Sequence, residues 1–322
     1  MVNPYTTFKG ATSFGDTMLM SELENNLKHF LNWGFLNIGG FVNVRRPTTS
    51  SIDAGRFDVL RPSLDPTFTD GTVFESIRKD WVWETGIVYN GYSPIAISGV
   101  YVNNQFFGTG DATYGHYYDY ANGRVIFSGA IPASSGVSLE YSYRTVQVYK
   151  SDEATWFFEG QYQSYRPGSD QWTTHAPNSG DYVISPSQRA QFPAIIIEAV
   201  PRGYSLPFEL GNKSAWRYQD VVFNIVADTV KARNNIVDII RFEDDHTIKL
   251  FDTDQVVRSG LAPLDYRGML INNSGMYPNL VDRYTFTTAT FQNVNLSESQ
   301  SLNPYLYEGR VRATMELILA EI

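Results

Sequence analysis

The residues whose types could do chemistry are gathered in two stretches. Asp111, His116 and Asp119 fall within GTGDATYGHYYDY, residues 108–120. Two carboxylates around an imidazole, on a loop between strands, could hold a metal or move a proton. The same stretch also reads as a Gly-rich hairpin tip with Tyr contacts. No Lys-Ser/Thr follows its glycines, so a phosphate cradle is not supported. The second stretch, RFEDDHTIKLFDTD, concentrates Glu243, Asp244, Asp245, Asp252 and Asp254. A calcium loop needs oxygens at alternating positions around a Gly turn, a pattern this run lacks. A solvated helix end followed by an acidic turn accounts for it. His29, His116, His175 and His246 make no HxxxH or HExxH spacing, and no GxSxG elbow occurs. His29 sits among apolar residues of a helix, as a satisfied structural histidine does. The chain is therefore expected to be no enzyme, with no catalytic residue, cofactor or metal site.

Glu198 raises a sharper question, because it ends the most apolar run, FPAIIIEAV at 192–200. A buried carboxylate must be neutral, paired or brought to a surface. With Arg202 and Arg217 near in sequence, a paired or interface position is expected.

Composition sets the frame for these residues. The 322 residues are 43% hydrophobic and 18% charged, which is globular rather than disordered. The 21 Tyr and 20 Phe favour strands and contact surfaces. There is no Cys, so disulfides, thiolate metal sites and Cys nucleophiles are excluded together. A net charge of −9 argues against tight nucleic-acid binding over the whole surface. The N-terminus shows no signal-peptide pattern and no run reaches membrane-spanning length, so synthesis and folding in the cytoplasm are expected.

Periodicity then supplies the elements. Met20, Leu23, Leu27, Phe30 and Leu31 fall at helical spacing after Asp16, a candidate N-cap, with Glu24 and Lys28 as an i,i+4 pair. Leu36 to Val44 reads as a strand broken at Gly39-Gly40. Residues 47–80 carry no steady period and read as an extended linker. From Trp81 onward, short aromatic and β-branched runs between turn residues read as an inserted all-β, sandwich-like module, with a hairpin signal at Asn122-Gly123. FPAIIIEAV is a strand, and PRGYSLPFELGNKSAW a loop or hairpin. Tyr218, Val221, Phe223 and Ile225 mark the core side of the next strand. Asp228 is read as the cap of TVKARNNIVDIIRF, and in GRVRATMELIL Val311, Ala313, Met315 and Leu317 face away from Arg310, Arg312, Thr314 and Glu316.

This order of elements resembles the tail terminator and related neck proteins of long-tailed bacteriophages. The matching positions are Pro193, Ile195, Ile197 and Glu198, then Phe223, Ile225, the helix after Asp228, and RVRATMELIL as the last strand. The resemblance covers residues 15–45 and 185–322, and a large β module interrupts it. It implies an α+β fold: a tail-terminator-like sheet with packed helices, carrying the inserted all-β module. The corresponding division is 1–46 as helix and strand of the core domain, 47–80 as linker, 81–165 as the β module, and 166–322 as the remainder of the core.

The resemblance implies a structural virion protein at the head–tail junction. It would form a homo-oligomer, a hexameric ring that caps the tail tube and sheath and docks the head connector. DNA would pass without sequence-specific binding, no membrane would be involved, and assembly would occur in the host cytoplasm. The candidate interface residues are Glu198, Arg202, Arg217, Arg310, Arg312 and Glu316. The alternatives are another neck, connector or baseplate component, a carbohydrate-binding β protein suggested by the Tyr/Trp-rich module, and a hydrolase built on Asp111, His116 and Asp119.

Overall fold

Leu23, Leu27 and Leu31 recur every four residues and are buried on one side of α1, Leu19–Asn37. The computed structural model describes residues 19–46, 57–63, 65–84, 86–132, 134–154, 157, 191–207, 215–250, 288–303 and 306–319, so Asp16 lies outside the described residues. The helix takes in Leu36, expected in a strand, because Gly39 ends it in the left-handed region at φ +87°. Gly39 donates to Leu36 O at 3.0 Å and Gly40 to Phe35 O at 2.7 Å, which closes a Schellman cap. The Glu24–Lys28 pair does not form. Glu24 accepts from the backbone N–H of Ala199 at 2.7 Å, and Lys28 reaches Glu153 at 2.6 Å.

The chain then builds a β unit. β1, Phe41–Val44, pairs with β9, Tyr141–Arg144. Beside them, β2 (Val59–Pro62), β3 (Val73–Glu75), β4 (Val100–Val102), β5 (Gln105–Phe107), β6 (His116–Asp119), β7 (Arg124–Phe127) and β8 (Val137–Ser138) form a seven-stranded sheet in the order β5-β4-β8-β2-β3-β7-β6. The stretch read as a linker thus supplies two of these strands. They are too short to give a visible period, and pairing rather than local pattern makes them strands. Trp81 is fully buried at the centre, its ring 4.9 Å from that of Tyr141, and its indole N–H donates to Arg78 O at 2.9 Å.

β10, Gln147–Lys150, carries the chain from this unit into a second sheet. It pairs in parallel with the first residues of β11, Ala194–Pro207. β12 (Ala215–Ala227), α2 (Val230–Arg241), β13 (Thr247–Lys249), β14 (Thr288–Asn303) and β15 (Leu306–Leu319) follow, and the sheet order is β10-β11-β12-β15-β14-β13. The inner face, with Ile195, Ile197, Val221, Phe223, Ile225, Val311, Ala313, Met315 and Leu317, packs against Leu23, Leu27 and Leu31 of α1 and Ile236, Val237 and Ile240 of α2. Tyr218, expected on that side, lies three residues before Val221, and an odd separation on a strand puts it on the other face. The N-cap of α2 is Thr229, whose hydroxyl accepts from Ala232 N–H at 3.2 Å, one residue after the expected Asp228.

The α+β expectation of a terminator-like sheet with packed helices is overturned. Among the described residues 47% lie in strands and 17% in helices, with two α-helices and curled sheets, so the fold is β-rich. The two helices cover one face of one sheet. Of the loop or hairpin expected after FPAIIIEAV, the structure has the hairpin, with β11 running to Pro207 and pairing β12, and the linker stretch adds β2 and β3.

Candidate interaction surfaces

The stretch with the most chemical promise is spent on holding a hairpin. Asp111 accepts from the N–H groups of Thr113 and Tyr114 at 2.8 Å, making a local turn. His116 is buried on β6, with Nδ1 at 2.8 Å from Tyr114 O and Nε2 at 3.0 Å from the Tyr118 hydroxyl. Burial lowers its affinity for a proton. Asp119 binds the backbone and side-chain N–H of Asn122 in the β6–β7 turn, where Gly123 takes φ +61°. No substrate-facing constellation arises from the three.

The acidic run divides in the same way. Glu243 bonds to His246 Nδ1, Asp244 accepts from Val294 N–H at 3.1 Å, and Asp252 and Asp254 lie outside the described residues, as does His175. Among the described residues no three potential ligands gather to hold a metal ion. No helix there is long and apolar enough to cross a membrane.

Two buried charge networks escaped the sequence reading. In the β unit, Arg124 reaches Asp65 at 3.0 Å and Glu75 at 3.3 Å, and Lys79 approaches Glu75 at 3.6 Å. Burial brings the Lys79 ammonium down to about 8, with Glu75 opposing that shift. The second network lies within the β unit, at the point where the chain leaves it for the six-stranded sheet. Arg144, at the end of β9, is buried against Glu84 at 2.8 Å and Asp80 at 3.3 Å. Burial pushes the Glu84 carboxyl up to about 6 despite Arg144, and brings the nearby His29 imidazole down to about 3. The first network ties β7 to β3 and the second ties β9 to the 80–84 segment; their charged groups are spent on each other, so they fix structure.

The outer face of the six-stranded sheet gathers the expected interface residues. Alternation sends Glu198, Arg310, Arg312 and Glu316 outward, opposite the helices. Arg202 joins them through Asp220 at 3.7 Å, while Arg217 lies on the inner side with Ser205. Arg310 sits between Glu298 and Glu308, each at 2.9 Å, and Glu316 accepts from Gln292 at 2.7 Å. Among the described residues Glu198 and Arg312 make no ion pair. At the β10 end this face is closed by Ala154, Phe157, Ile196 and Val226, with Phe192, Leu302 and Leu306 packed on them.

At the other end β11 is exposed. Every residue of β11 from Pro201 to Pro207 is exposed. Register puts Leu206, Trp216 and Ile318 in one cross-strand row, and Tyr204 and Tyr218 in the next, their rings stacked at 4.7 Å. Tyr204 is 54% exposed and Leu206 48%, so this hairpin end is an apolar knob. The Tyr204/Leu206 alternation was a legible signal inside the segment read as a loop or hairpin.

A second apolar surface lies on the β unit. Tyr89 and Tyr92 exchange both backbone hydrogen bonds, at 2.8 and 2.9 Å, around Asn90-Gly91, whose φ values of 50° and 80° fit a two-residue hairpin turn. The Tyr89 ring lies over Gly39, where an added Cβ would come within 2.5 Å of it. Together with Phe41, Val42 and Asn43, these residues line a surface pocket of about 340 Å³. The Asn-Gly dipeptide was the sequence signal for it.

Comparison with known proteins finds no family model, no curated protein and no solved structure that matches this chain.

Proposed function

We propose that the chain is a structural assembly subunit, working as a self-associating ring at the head–tail junction of a long-tailed bacteriophage. The observation that carries this reading is the apolar knob at the β11–β12 end, with Tyr204 and Leu206 about half exposed on an extended hairpin. Contiguous apolar surface of this kind marks a protein contact. The titratable side chains speak the same way, since Asp111, His116 and Asp119 are spent on turns. The phage setting rests on the order of sequence elements, and the outer-face ion pairs suit a polar rim.

The contact falls to apolar faces rather than strand edges, because the edges are blunted. β10 and β13 are short, Glu24 caps the N–H of Ala199, a bulge separates Ala199 from Gly203, and Pro201 and Pro207 remove donors from the open edge. The test is light scattering after size exclusion, with negative-stain microscopy, across a wide concentration range. Discrete closed rings are expected; a strict monomer at every concentration overturns the proposal.

A further inference from the structure

We infer that the knob of one copy seats in the Tyr89/Tyr92 pocket of the next, a head-to-tail contact that supplies the ring joint. This rests on the assembly reading above. The two surfaces have matching chemistry. Leu206 and Tyr204 present aliphatic and aromatic surface, and the pocket offers Phe41, Val42, Tyr89 and Tyr92 around room for such a side chain. The amide in the pocket wall is already engaged. Asn43 donates to Ser93 O at 3.0 Å and accepts from the Ser142 hydroxyl at 2.6 Å. The backbone groups of Tyr89 and Tyr92 satisfy each other. With those groups engaged, what the walls chiefly offer an occupant is aromatic and aliphatic surface.

Placement makes the contact intermolecular. β1, which lines the pocket, pairs with β9, and β9 precedes β10, which joins β11 only at Ala194–Ile197. The knob is at the far end of the same strand, roughly 40 Å away by strand rise. One chain cannot seat its own knob. A knob and a pocket at opposite ends of a subunit make a heterologous contact, which generates rings when the rotation closes.

Two variants test it, Leu206→Asp on the knob and Tyr92→Asp on the pocket, both at exposed side chains. Each alone is expected to lose association about a hundredfold, since a carboxylate would enter an apolar joint. Mixed, they retain one good knob and one good pocket and should give a 1:1 dimer that grows no further. Because the chain has no Cys, a Leu206→Cys/Tyr92→Cys double variant should oxidise to a ladder of linked multimers, and either single variant to none. Linked dimers from Leu206→Cys alone mean knob-to-knob packing and overturn the inference. Wild-type rings that both Asp variants still form overturn it while leaving the assembly reading standing. A wild type that never associates overturns the assembly reading itself.

Discussion

The guanidinium of Arg144 meets both carboxylate oxygens of Glu84, at 2.8 and 3.0 Å, where neither side chain reaches solvent. Arg144 ends β9 in the β unit and, two residues after it, Val146 enters the core of the six-stranded sheet. The pair therefore sits where the chain passes from the β unit into the six-stranded sheet. Its contribution is asymmetric, because a buried charge stripped of its partner costs far more than the pair itself is worth.

Arg144→Met should accordingly destabilise the protein by about 3–5 kcal/mol, leaving Glu84 and Asp80 without their cation. Arg144→Met combined with Glu84→Leu should recover part of that loss, since one of the two uncompensated carboxylates goes with it while Asp80 remains. Urea midpoints of the three proteins decide it. Additive losses would show that Arg144 and Glu84 do not act as a pair.

His29 sets a pH dependence. Its buried imidazole titrates at about 3 in the folded chain, chiefly through desolvation, against 6.5 ordinarily. The unfolded state binds a proton first as pH falls, so the contribution is whole above pH 6.5 and is lost progressively down to about 3. It amounts to about 3 kcal/mol by pH 4.5. Glu84 acts in the opposite sense. Its folded value is raised to about 6, so its favourable contribution is present below 4.5 and fades as pH rises through 6. A His29→Leu variant removes only the first effect. Its urea midpoint should fall less than that of the wild type between pH 7 and pH 4.5, and equal falls would place His29 in contact with water.

Gly39 separates backbone need from helix propensity. It holds φ +87° and leaves no room for a Cβ under the Tyr89 ring, so Gly39→Ala should cost about 1–3 kcal/mol and displace Tyr89 from the pocket. Gly34, inside α1, has nothing within 4 Å of its added Cβ, and Gly34→Ala should stabilise by about 0.5–1 kcal/mol. Thermal melts of the two variants check this. Opposite signs are expected, and a neutral Gly39→Ala would mean the Schellman turn is not strained by a side chain.

What was legible in the sequence was what a single element writes into its own period. The stripe of α1, the alternation of β15 from Arg310 to Leu317 and the Asn122-Gly123 turn all follow from local spacing. What was lost depended on partners far away in the chain. Val59–Pro62 and Val73–Glu75 are strands because they pair with each other and with Val137–Ser138 and Arg124–Phe127. Ser142 and Arg144 alternate with Tyr141 and Tyr143 and would face solvent by strand period, yet both are buried, because Asn43 covers one and Glu84 the other. The interface candidates Glu198, Arg310, Arg312 and Glu316 came out on one face through strand period alone, whereas Arg217 was listed with them by proximity to Glu198 and faces the other way.

Glu198 offers the last prediction. Proximity in sequence suggested Arg202 or Arg217 as its partner, but Arg202 takes Asp220 and Arg217 takes Ser205. Register runs Glu198 to Val222 to Arg312, so the outward-facing cation of its own row is two strands away, roughly 10 Å between backbones, and no ion pair joins the two. Glu198→Gln is isosteric and removes no ion pair among the described residues. The urea midpoint of dilute protein should stay within about 0.5 kcal/mol of the wild type. If the carboxylate meets a cation on another copy, Glu198→Gln acts on association rather than on folding. Association measured by sedimentation at low salt should weaken by a factor of about two to five, and the difference should vanish at high salt, as an exposed pair is screened. A midpoint shift above about 1 kcal/mol in the monomer would show that Glu198 works inside its own chain, and an association constant unchanged at low salt would remove it from the contact surface.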